Sequence, residues 1–383
     1  MHKRNKMEGQ CNNKMVDLFA GCGGLSLGLE QAGFMPWFVN EIVEQFANTY
    51  KANHNLPDRH YFIDDIALLN THLNEYADLL SDITLVCGGP PCQGFSMANR
   101  QRILDDPRNN LYKQYLIFLS KIRPQFFIME NVKGMMNKKD EIIQNFREYL
   151  GEDYLYDYAV LRAQDFGVPQ NRERFIMIGN RKGIPPKDIF MEIYRNKREA
   201  FVLRDALYGL PHLDTKKCKG QSGVEDIASG LTEREFNYPK TEFYYYINGN
   251  KIITKLYNHK NRYNNERDIE IYKRLPQGAN SLHESIADIM PYKRRNGIFK
   301  DKYFKLDENQ ICKTITSHMK FDCNMYIHPW EARGLSPREA ARIQTFPDDY
   351  IITGAQNMWY AQIGNAVPVK LAKAIGDGIM SFI

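Results

Sequence analysis

This sequence of 383 residues lacks the features of a membrane or exported protein. No apolar run approaches the ~20 residues that a membrane-spanning helix requires. The polar, basic residues 1–14 are followed by no apolar stretch of the kind found in signal peptides. We therefore expect a protein of the cytoplasm with no membrane partner.

Metal-binding and disulfide patterns are also absent. The seven cysteines form no Cys-x-x-Cys pair and no Cys/His ligand spacing; they stand at positions 11, 22, 87, 92, 218, 312 and 323. An odd, scattered set suits reduced thiols. The pattern predicts neither structural zinc nor any other bound metal.

The net charge of +5 is modest, but it is unevenly distributed. Residues 181–330 hold 27 Lys and Arg against 19 Asp and Glu, whereas the rest of the chain holds 24 against 27. Such a basic face is either simply solvated or binds nucleic acid, where Lys and Arg displace counterions from phosphates. Nucleic-acid binding is therefore open for one part of the chain only.

From residue 15 to about residue 179, short β-rich runs alternate with helical segments. This alternation predicts a doubly wound, Rossmann-like α/β domain with a mostly parallel sheet and helices on both faces. The predicted strands are Val16–Phe19, Trp37–Val39, Ile83–Cys87, Phe126–Met129, Ala159–Leu161 and Phe175–Ile178. The predicted helices are Leu25–Ala32, Ile42–Lys51, Leu111–Ile122 and Glu141–Leu150.

The alternation stops over residues 180–329, which predicts a second, smaller domain of mixed structure. Helical signals then return with Ser-Pro-Arg-Glu at 336–339, which reads as an N-cap, a first-turn proline and a capping-box glutamate. A last helix is predicted after Pro368. The predicted domains are 12–182 plus 356–383 for the first and 183–355 for the second with its hinge.

The segment Asp17–Gly24 reads Asp-Leu-Phe-Ala-Gly-Cys-Gly-Gly and joins a predicted strand to a predicted helix. Glycines there let backbone N–H groups and the helix N-terminus approach a ligand, although a tight turn without a ligand has a similar composition. Glu41 ends the next strand about 20 residues on, where an acidic side chain commonly binds ribose hydroxyls. Together, the two features predict a site for a nucleoside-containing cofactor.

A second loop, Gly88–Ser96, follows a predicted strand and therefore lies at the carboxyl edge of the sheet, where open α/β folds bind ligands. Pro90 and Pro91 fix the backbone immediately before Cys92 and give its thiol a rigid base. An isolated cysteine is usually a small buried apolar residue, but such residues rarely occupy Gly/Pro turns. Cys92 is therefore a candidate nucleophile.

Two further segments reach the same edge of the predicted sheet. The strand that begins at Phe126 delivers Glu130-Asn-Val132, whose carboxyl group is then able to face the thiol. Gln-Asn-Arg-Glu-Arg opens the last strand, and extended geometry places Arg172 and Arg174 on one face. Solvated edge residues are the alternative for all three charged groups; the functional interpretation is the orientation of an anion or a carboxylate.

In their order along the chain, these blocks resemble the cytosine-5 DNA methyltransferase family, in its bacterial restriction-modification type. The matching segments are DLFAGCGG (17–24), Glu41, Asp65-Ile66, GGPPCQGFS (88–96), DPRN (106–109), ENV (130–132), QNRER (170–174), RGLSPREAARIQTFPDDY (333–350) and QIGNAVPVKLA (362–372). They cover nearly all of the chain outside residues 181–310. The resemblance implies an S-adenosylmethionine-dependent methyltransferase fold, with the second domain as the target-recognition domain.

The resemblance also implies roles. Cys92 would attack C6 of cytosine as a thiolate, and Glu130 would hydrogen-bond N3 and the exocyclic amine of the base. Arg172 and Arg174 would orient the base and the carboxylate, and C5 would take the methyl group from S-adenosylmethionine. Because C6 is inaccessible in a stacked duplex, the cytosine would be flipped out. The implied cofactor-binding residues are Phe19, Ala20, Gly21, Gly23, Gly24, Leu25, Glu41, Asp65, Ile66, Pro90, Leu111, Asn365, Ala366 and Val367.

Two positions depart from the family pattern. Asp64 stands where glycine is usual, which leaves open whether it or Asp65 contacts the adenine amine. Ile42 replaces the large, often aromatic residue that stacks on adenine, so the contact there would be less specific.

The implied partner is double-stranded DNA, bound by a monomer, with a cognate restriction endonuclease acting on the same site. Two alternatives stay open: a tRNA cytosine-5 methyltransferase, whose Cys-Phe-Thr tripeptide is absent here, and a catalytically silent DNA-binding homologue. An oxidoreductase is disfavoured because Gly21–Ser26 lacks the third glycine of Gly-x-Gly-x-x-Gly. Within residues 185–330, Lys293–Arg295 and Thr314–Thr316 are candidate contacts to the DNA backbone.

Overall fold

The computed structural model describes residues 13–91, 111–216, 227–291 and 302–383. Among the residues singled out above, Cys92 with the rest of its segment to residue 96, the DPRN segment at 106–109 and Lys293–Arg295 lie outside these described residues. In the described ranges, no helix has the length and apolar character needed to cross a membrane.

The strands and helices of the described residues follow the chain in a regular order. The strands are β1 (Lys14–Leu18), β2 (Met35–Asn40), β3 (Tyr61–Phe62), β4 (Leu85–Gly88), β5 (Phe126–Val132), β6 (Leu155–Arg162), β7 (Gln170–Asn171), β8 (Glu173–Asn180), β9 (Gly230–Glu235), β10 (Lys255–Lys260) and β11 (Cys312–Lys313). The helices are α1 (Gly24–Gln31), α2 (Glu44–Asn53), α3 (Ile66–His72), α4 (Leu111–Ile122), α5 (Lys139–Leu150), α6 (Pro186–Arg195), α7 (Leu203–Leu207), α8 (Glu242–Asn248), α9 (Glu266–Arg274), α10 (Pro337–Ile343), α11 (Gln356–Asn365) and α12 (Val369–Met380).

Seven strands form one sheet in the order β3-β2-β1-β4-β5-β8-β6. The five strands from β3 to β5 are parallel, and β8 runs antiparallel to both of its neighbours. The predicted doubly wound, mostly parallel sheet is confirmed. The strand order reverses between β1 and β4, so their carboxyl ends flank the switch point at which such sheets bind ligands.

All six predicted strands of this sheet are present, as β1, β2, β4, β5, β6 and β8, and the four predicted helices are α1, α2, α4 and α5. The sequence analysis missed β3 and α3. A two-residue edge strand gives too short an alternation to detect, and α3 holds only seven residues, below the window in which a helical period is visible.

Helices cover both faces of the sheet. On one side α3, α4 and α5 pack over a core that includes Val16, Phe127 and Met177. On the other side α12 packs between α1 and α6. The α1–α12 contact is very close, because a Cβ atom built on Gly28 would lie 2.3 Å from the carbonyl oxygen of Val369. The predicted last helix therefore belongs to the sheet domain.

The chain forms two compact units. Among the described residues, the first unit holds those up to Phe166 together with Glu173–Arg198 and Val367–Ile383, and the second holds Gly167–Arg172 and Glu199–Ala366. The units differ from the predicted boundaries because α6 packs on α12 and so belongs to the first unit. Likewise, α11 packs on α10 and so belongs to the second. The target-recognition role of the second unit stays a prediction.

The second unit has mixed structure, with an antiparallel β9–β10 pair, a parallel β7–β11 pair and short helices. Its α10 begins as predicted, with Ser336 as N-cap and Glu339 completing the capping box. Glu339 is also held by the buried Arg333, which donates from both terminal nitrogens at 2.8 and 2.7 Å. The charged residues of this block thus form a buried framework inside the unit.

Candidate active site

The glycine-rich loop between β1 and α1 has an unusual backbone. Phe19, Gly21 and Gly23 have φ angles of 58°, 56° and 84°, in the left-handed region that favours glycine. A Cβ atom built on Gly21 would have no neighbour within 4 Å, so the loop faces open space there. The loop therefore leaves room for a ligand at the carboxyl end of β1.

Glu41 is tied to this loop. Its Oε2 accepts a hydrogen bond from the Gly21 N–H at 2.7 Å, and its Oε1 accepts one from the Val43 N–H at 2.8 Å. Burial raises the pKa of Glu41, and the two N–H donors oppose that rise. A carboxylate has about four lone-pair sites, so acceptor capacity remains for a further donor such as a ribose hydroxyl.

A buried hydrogen-bond chain underlies the loop, and the sequence analysis did not find it. Tyr50 donates from its hydroxyl to Ser26 Oγ at 2.8 Å, and Ser26 donates to Asp17 Oδ2 at 2.6 Å. Burial raises the pKa of Asp17 to about 7, with the Ser26 hydrogen bond acting in the opposite direction. The available signal was a serine on the apolar face of α1, directly before Leu27.

The residues expected near adenine are placed as follows. Ile42 is an apolar side chain left 61% exposed beside Glu41, as a contact surface for a ring requires. Asp65 caps α3 by accepting from the Ala67 N–H at 2.7 Å, and Ile66 behind it is buried. Asp64 is exposed, and its Oδ1 accepts from the Asp65 N–H. Either carboxylate retains acceptor capacity, so the choice between them stays open.

Glu130 and Arg174 form a close ion pair across β5 and β8. The Arg174 Nε lies 2.6 Å from Glu130 Oε1, and each side chain is only 12% exposed. Burial lowers the pKa of Arg174, while Glu130 opposes this by favouring the charged form. A guanidinium stays protonated in proteins, so it fixes the carboxylate in one orientation.

The same carboxylate touches the loop that leads to Cys92. A Cβ atom built on Gly89 would lie 2.9 Å from Glu130 Oε2, so only glycine fits without displacing the carboxylate. The neighbouring Asn131 donates from Nδ2 to the Pro90 carbonyl at 2.8 Å. The chain therefore passes directly over Glu130 and Asn131 three residues before Cys92.

Arg172, which was expected to share a face with Arg174, contacts different groups. It lies between β7 and β8, is buried, and donates to the carbonyl oxygens of Ile315 at 2.7 Å and Gly364 at 3.1 Å. These contacts hold backbone within the second unit. The predicted part of Arg172 in orienting the base stays a prediction.

The predicted cofactor residues Asn365, Ala366 and Val367 lie at the end of α11. Gln344, a fully buried residue that the sequence analysis did not single out, donates to the carbonyls of Ile363 at 2.7 Å and Ala366 at 3.3 Å. Asn365 is exposed, so its side chain is accessible to a ligand. A glutamine at the end of the Ala-Arg-Ile-Gln run was the signal, since a buried amide needs partners.

The described cysteines are poor nucleophiles. Cys22, Cys87, Cys312 and Cys323 are all buried, and burial raises the pKa of each thiol. The thiolate is the reactive form, and a raised pKa suppresses it. Within the described part of the chain, no group of three His, Cys, Asp or Glu side chains is placed to hold a metal ion.

Comparison with known proteins gives consistent relatives. A family model described as C-5 cytosine-specific DNA methylase matches residues 13–381. The Type II methyltransferase M.DdeI of Desulfomicrobium norvegicum is 30% identical, over 95% of this chain and 88% of that protein. The Type II methyltransferase M1.HphI of Haemophilus parahaemolyticus is 31% identical, over 95% and 86% respectively.

Solved structures also match over almost the whole chain. A candidate DNA modification methyltransferase encoded within an E. coli prophage has a TM-score of 0.73 and 27% identity, over 96% of this chain and 98% of that one. The Dnmt2 methyltransferase of S. pombe has a TM-score of 0.54 at 15% identity, over 96% and 97%. At that identity the second likeness shows the fold alone.

Proposed function

Because the chain belongs to the C-5 cytosine-specific DNA methylase family and is a DNA (cytosine-5-)-methyltransferase, we propose that it methylates a flipped-out cytosine by covalent catalysis from Cys92. The observation that carries this proposal is the Glu130–Arg174 pair, held against Gly89 three residues before Cys92. Attack on a cytosine ring needs a buried, oriented carboxylate, and this one lies against the loop that leads to the candidate nucleophile.

The residues around β1 fit S-adenosylmethionine as the methyl donor. The open space at Gly21 suits a contact between the loop backbone and the donor. The remaining acceptor capacity of Glu41 suits the ribose hydroxyls, and the exposed side chain of Ile42 suits the adenine ring. When bound, the donor supplies a methyl group activated on a sulfonium. Phe19, with its strained backbone, would lie against it.

The chain's own groups perform the remaining steps. Cys92 adds as a thiolate to C6 of the flipped base while N3 takes up a proton from solvent. The Glu130 carboxylate accepts from this N3–H and from the exocyclic amine and so stabilises the protonated ring, whose positive charge offsets the charge that the attack brings. C5 then accepts the methyl group. Loss of the C5 proton and β-elimination restore the aromatic ring and release the Cys92 thiolate. Arg174 keeps Glu130 in place throughout, and flipping costs a few kcal/mol of unstacking.

The test is direct transfer of labelled methyl groups. Purified protein is incubated with labelled S-adenosylmethionine and either duplex DNA or tRNA, and the product base is identified after digestion. We expect 5-methylcytosine in DNA. Label in tRNA only would favour the tRNA methyltransferase alternative, and no transfer to either would favour the silent DNA-binding homologue.

The proposed ribose contact of Glu41 predicts a large loss of cofactor affinity. Hydrogen bonds to charged groups contribute roughly 1.5–3 kcal/mol, so Glu41→Ala should weaken binding of S-adenosylhomocysteine about 10- to 100-fold in calorimetric titration. Since burial raises the pKa of Glu41, wild-type affinity should also decline on acidification sooner than an exposed glutamate would allow. Glu44→Ala, in the exposed first turn of α2, is the matched control. Equal affinity of both variants would place the ribose elsewhere.

We further propose that sequence choice lies in the second unit. Because α6 belongs to the first unit, the exchange should begin at Glu199, and an end at Trp330 keeps the Arg333–Glu339 pair intact. Replacing residues 199–330 with the matching interval of M.DdeI is expected to move the methylated site, read by bisulfite sequencing. An active chimera that still methylated the original site would place specificity in the first unit.

The proposed setting is a restriction-modification system. We place the protein in the cytoplasm as a monomer that protects the site of a cognate endonuclease, supported by relatives named as Type II methyltransferases. DNA methylated in a host that expresses the gene should resist that endonuclease.

A further inference from the structure

An exposed phenylalanine occupies a short turn of the second unit. Phe321 is 63% exposed and follows the 3-10 turn Ser317–Lys320. The Lys320 ammonium lies 4.8 Å from the centre of its ring, and the His318 ring meets it edge-on at 5.1 Å. Apolar area and positive charge are therefore presented together at one point of the surface.

The base of this turn is held firmly. The largely buried Arg262 donates to the carbonyl oxygens of Met319 at 2.7 Å and Lys320 at 3.2 Å. The guanidinium also lies 5.5 Å from the Tyr360 ring centre. Met319 itself is fully buried, so the turn is anchored from below while Phe321 remains outside. The negative group nearby, Asp322, accepts from the Asn324 N–H within the same turn.

An aromatic ring on an anchored, basic turn matches the chemistry of nucleic acid. Apolar side chains that enter a duplex unstack adjacent bases, and aromatic rings stack on bases exposed in this way. A rigid turn pays little ordering entropy when it binds, and its lysine adds attraction to phosphates. The two threonines before the turn, Thr314 and Thr316, have their hydroxyls bonded to Asn171 and Tyr326 within the unit. Phe321 is thus better placed than they are for contact.

We infer that Phe321 stacks on a base of the bound duplex and that Lys320 contacts the adjacent backbone. This inference rests on the proposed target-recognition role of the second unit. Stacking of Phe321 would stabilise the distorted duplex, and this contribution requires no contact between Phe321 and the cofactor.

The experiment compares three variants in the full-length protein. Phe321→Ala should weaken binding of duplex DNA that carries the enzyme's target site about 5- to 150-fold. Base stacking contributes ~1–3 kcal/mol, and about 1.4 kcal/mol corresponds to a tenfold change in affinity. Phe321→Trp should retain binding within about threefold. Tyr194→Ala is the matched control, since that tyrosine is 40% exposed on α6 in the first unit with Lys197 at 4.8 Å from its ring.

Four readouts separate the outcomes. Fluorescence anisotropy gives the affinity for DNA. The affinity for S-adenosylhomocysteine and the thermal midpoint should be the same in all variants. The fluorescence of 2-aminopurine placed beside the target cytosine should increase less on binding of Phe321→Ala than on binding of the wild type. If Phe321→Ala binds DNA as tightly as Tyr194→Ala does, the inference is wrong. If the wild type itself transfers no methyl group to DNA, the proposed function fails instead.

Discussion

Replacing Cys92 with serine is expected to abolish methyl transfer while S-adenosylhomocysteine still binds with wild-type affinity. A serine hydroxyl is far less acidic than a thiol, so almost none of it is ionised and the attack on C6 stops. The remaining methyl transfer should fall below the detection limit of a labelled-methyl assay. The cofactor residues at β1 and β2 are untouched by the change.

Trapping identifies the nucleophile directly. Duplex DNA carrying 5-fluorocytosine at the target should form an adduct that survives denaturation, because fluorine at C5 blocks the final elimination. Peptide mapping should find the adduct on Cys92. Cys312→Ala, which removes a buried thiol whose pKa is raised to about 12, should form the adduct normally. An adduct mapped to another cysteine would disprove the assignment.

Glu130→Gln should lower kcat by about 100- to 1000-fold, the range found when one group that stabilises developing charge is removed. The amide keeps the size of the side chain but carries no negative charge to pair with Arg174 or with a protonated N3. Affinity for S-adenosylhomocysteine should stay at the wild-type value. Single-turnover kinetics at saturating DNA gives the chemical step without product release.

The control for Glu130 lies on the neighbouring strand. Glu173 precedes Arg174 in β8 and pairs at 2.9 Å with Lys133, with both side chains considerably exposed. Exposed pairs contribute little, so Glu173→Gln should leave kcat and the thermal midpoint nearly unchanged. Equal losses in the two variants would indicate that charge anywhere near Arg174 matters, and that Glu130 does not contact the base.

The sheet could be predicted because its strands carry strong local signals. Each buried parallel strand is a run of apolar, β-branched or aromatic residues, as in Phe126–Met129, and each crossover helix has a clear apolar period. The motifs then placed Glu41 and Glu130 at strand ends. Their partners were harder to predict. Glu130 pairs with Arg174 and not with Arg172 because the strand is interrupted at Arg172, between β7 and β8.

The second unit could not be predicted in the same detail. Its strands and helices are short, and its stability relies on buried polar contacts between residues distant in sequence. Asn258 bonds the backbone of Ile352 through both its amide nitrogen and its oxygen, and Arg262 reaches the turn before Phe321. Such pairings leave no periodic trace, so composition and charge alone indicated the unit.

The close packing of Gly28 against Val369 has a consequence for how the molecule is made. The ribosome synthesises α1 before the second unit and α12 only after it, so the sheet domain cannot be completed until the last helix has been made. Residues 199–366 form an uninterrupted stretch that is able to acquire structure while the earlier strands still lack their cover. A chain that ends before α12 should therefore leave the apolar face of α1 exposed and become a target for chaperones and proteases. Methyltransferase activity should appear only after α12 has been synthesised.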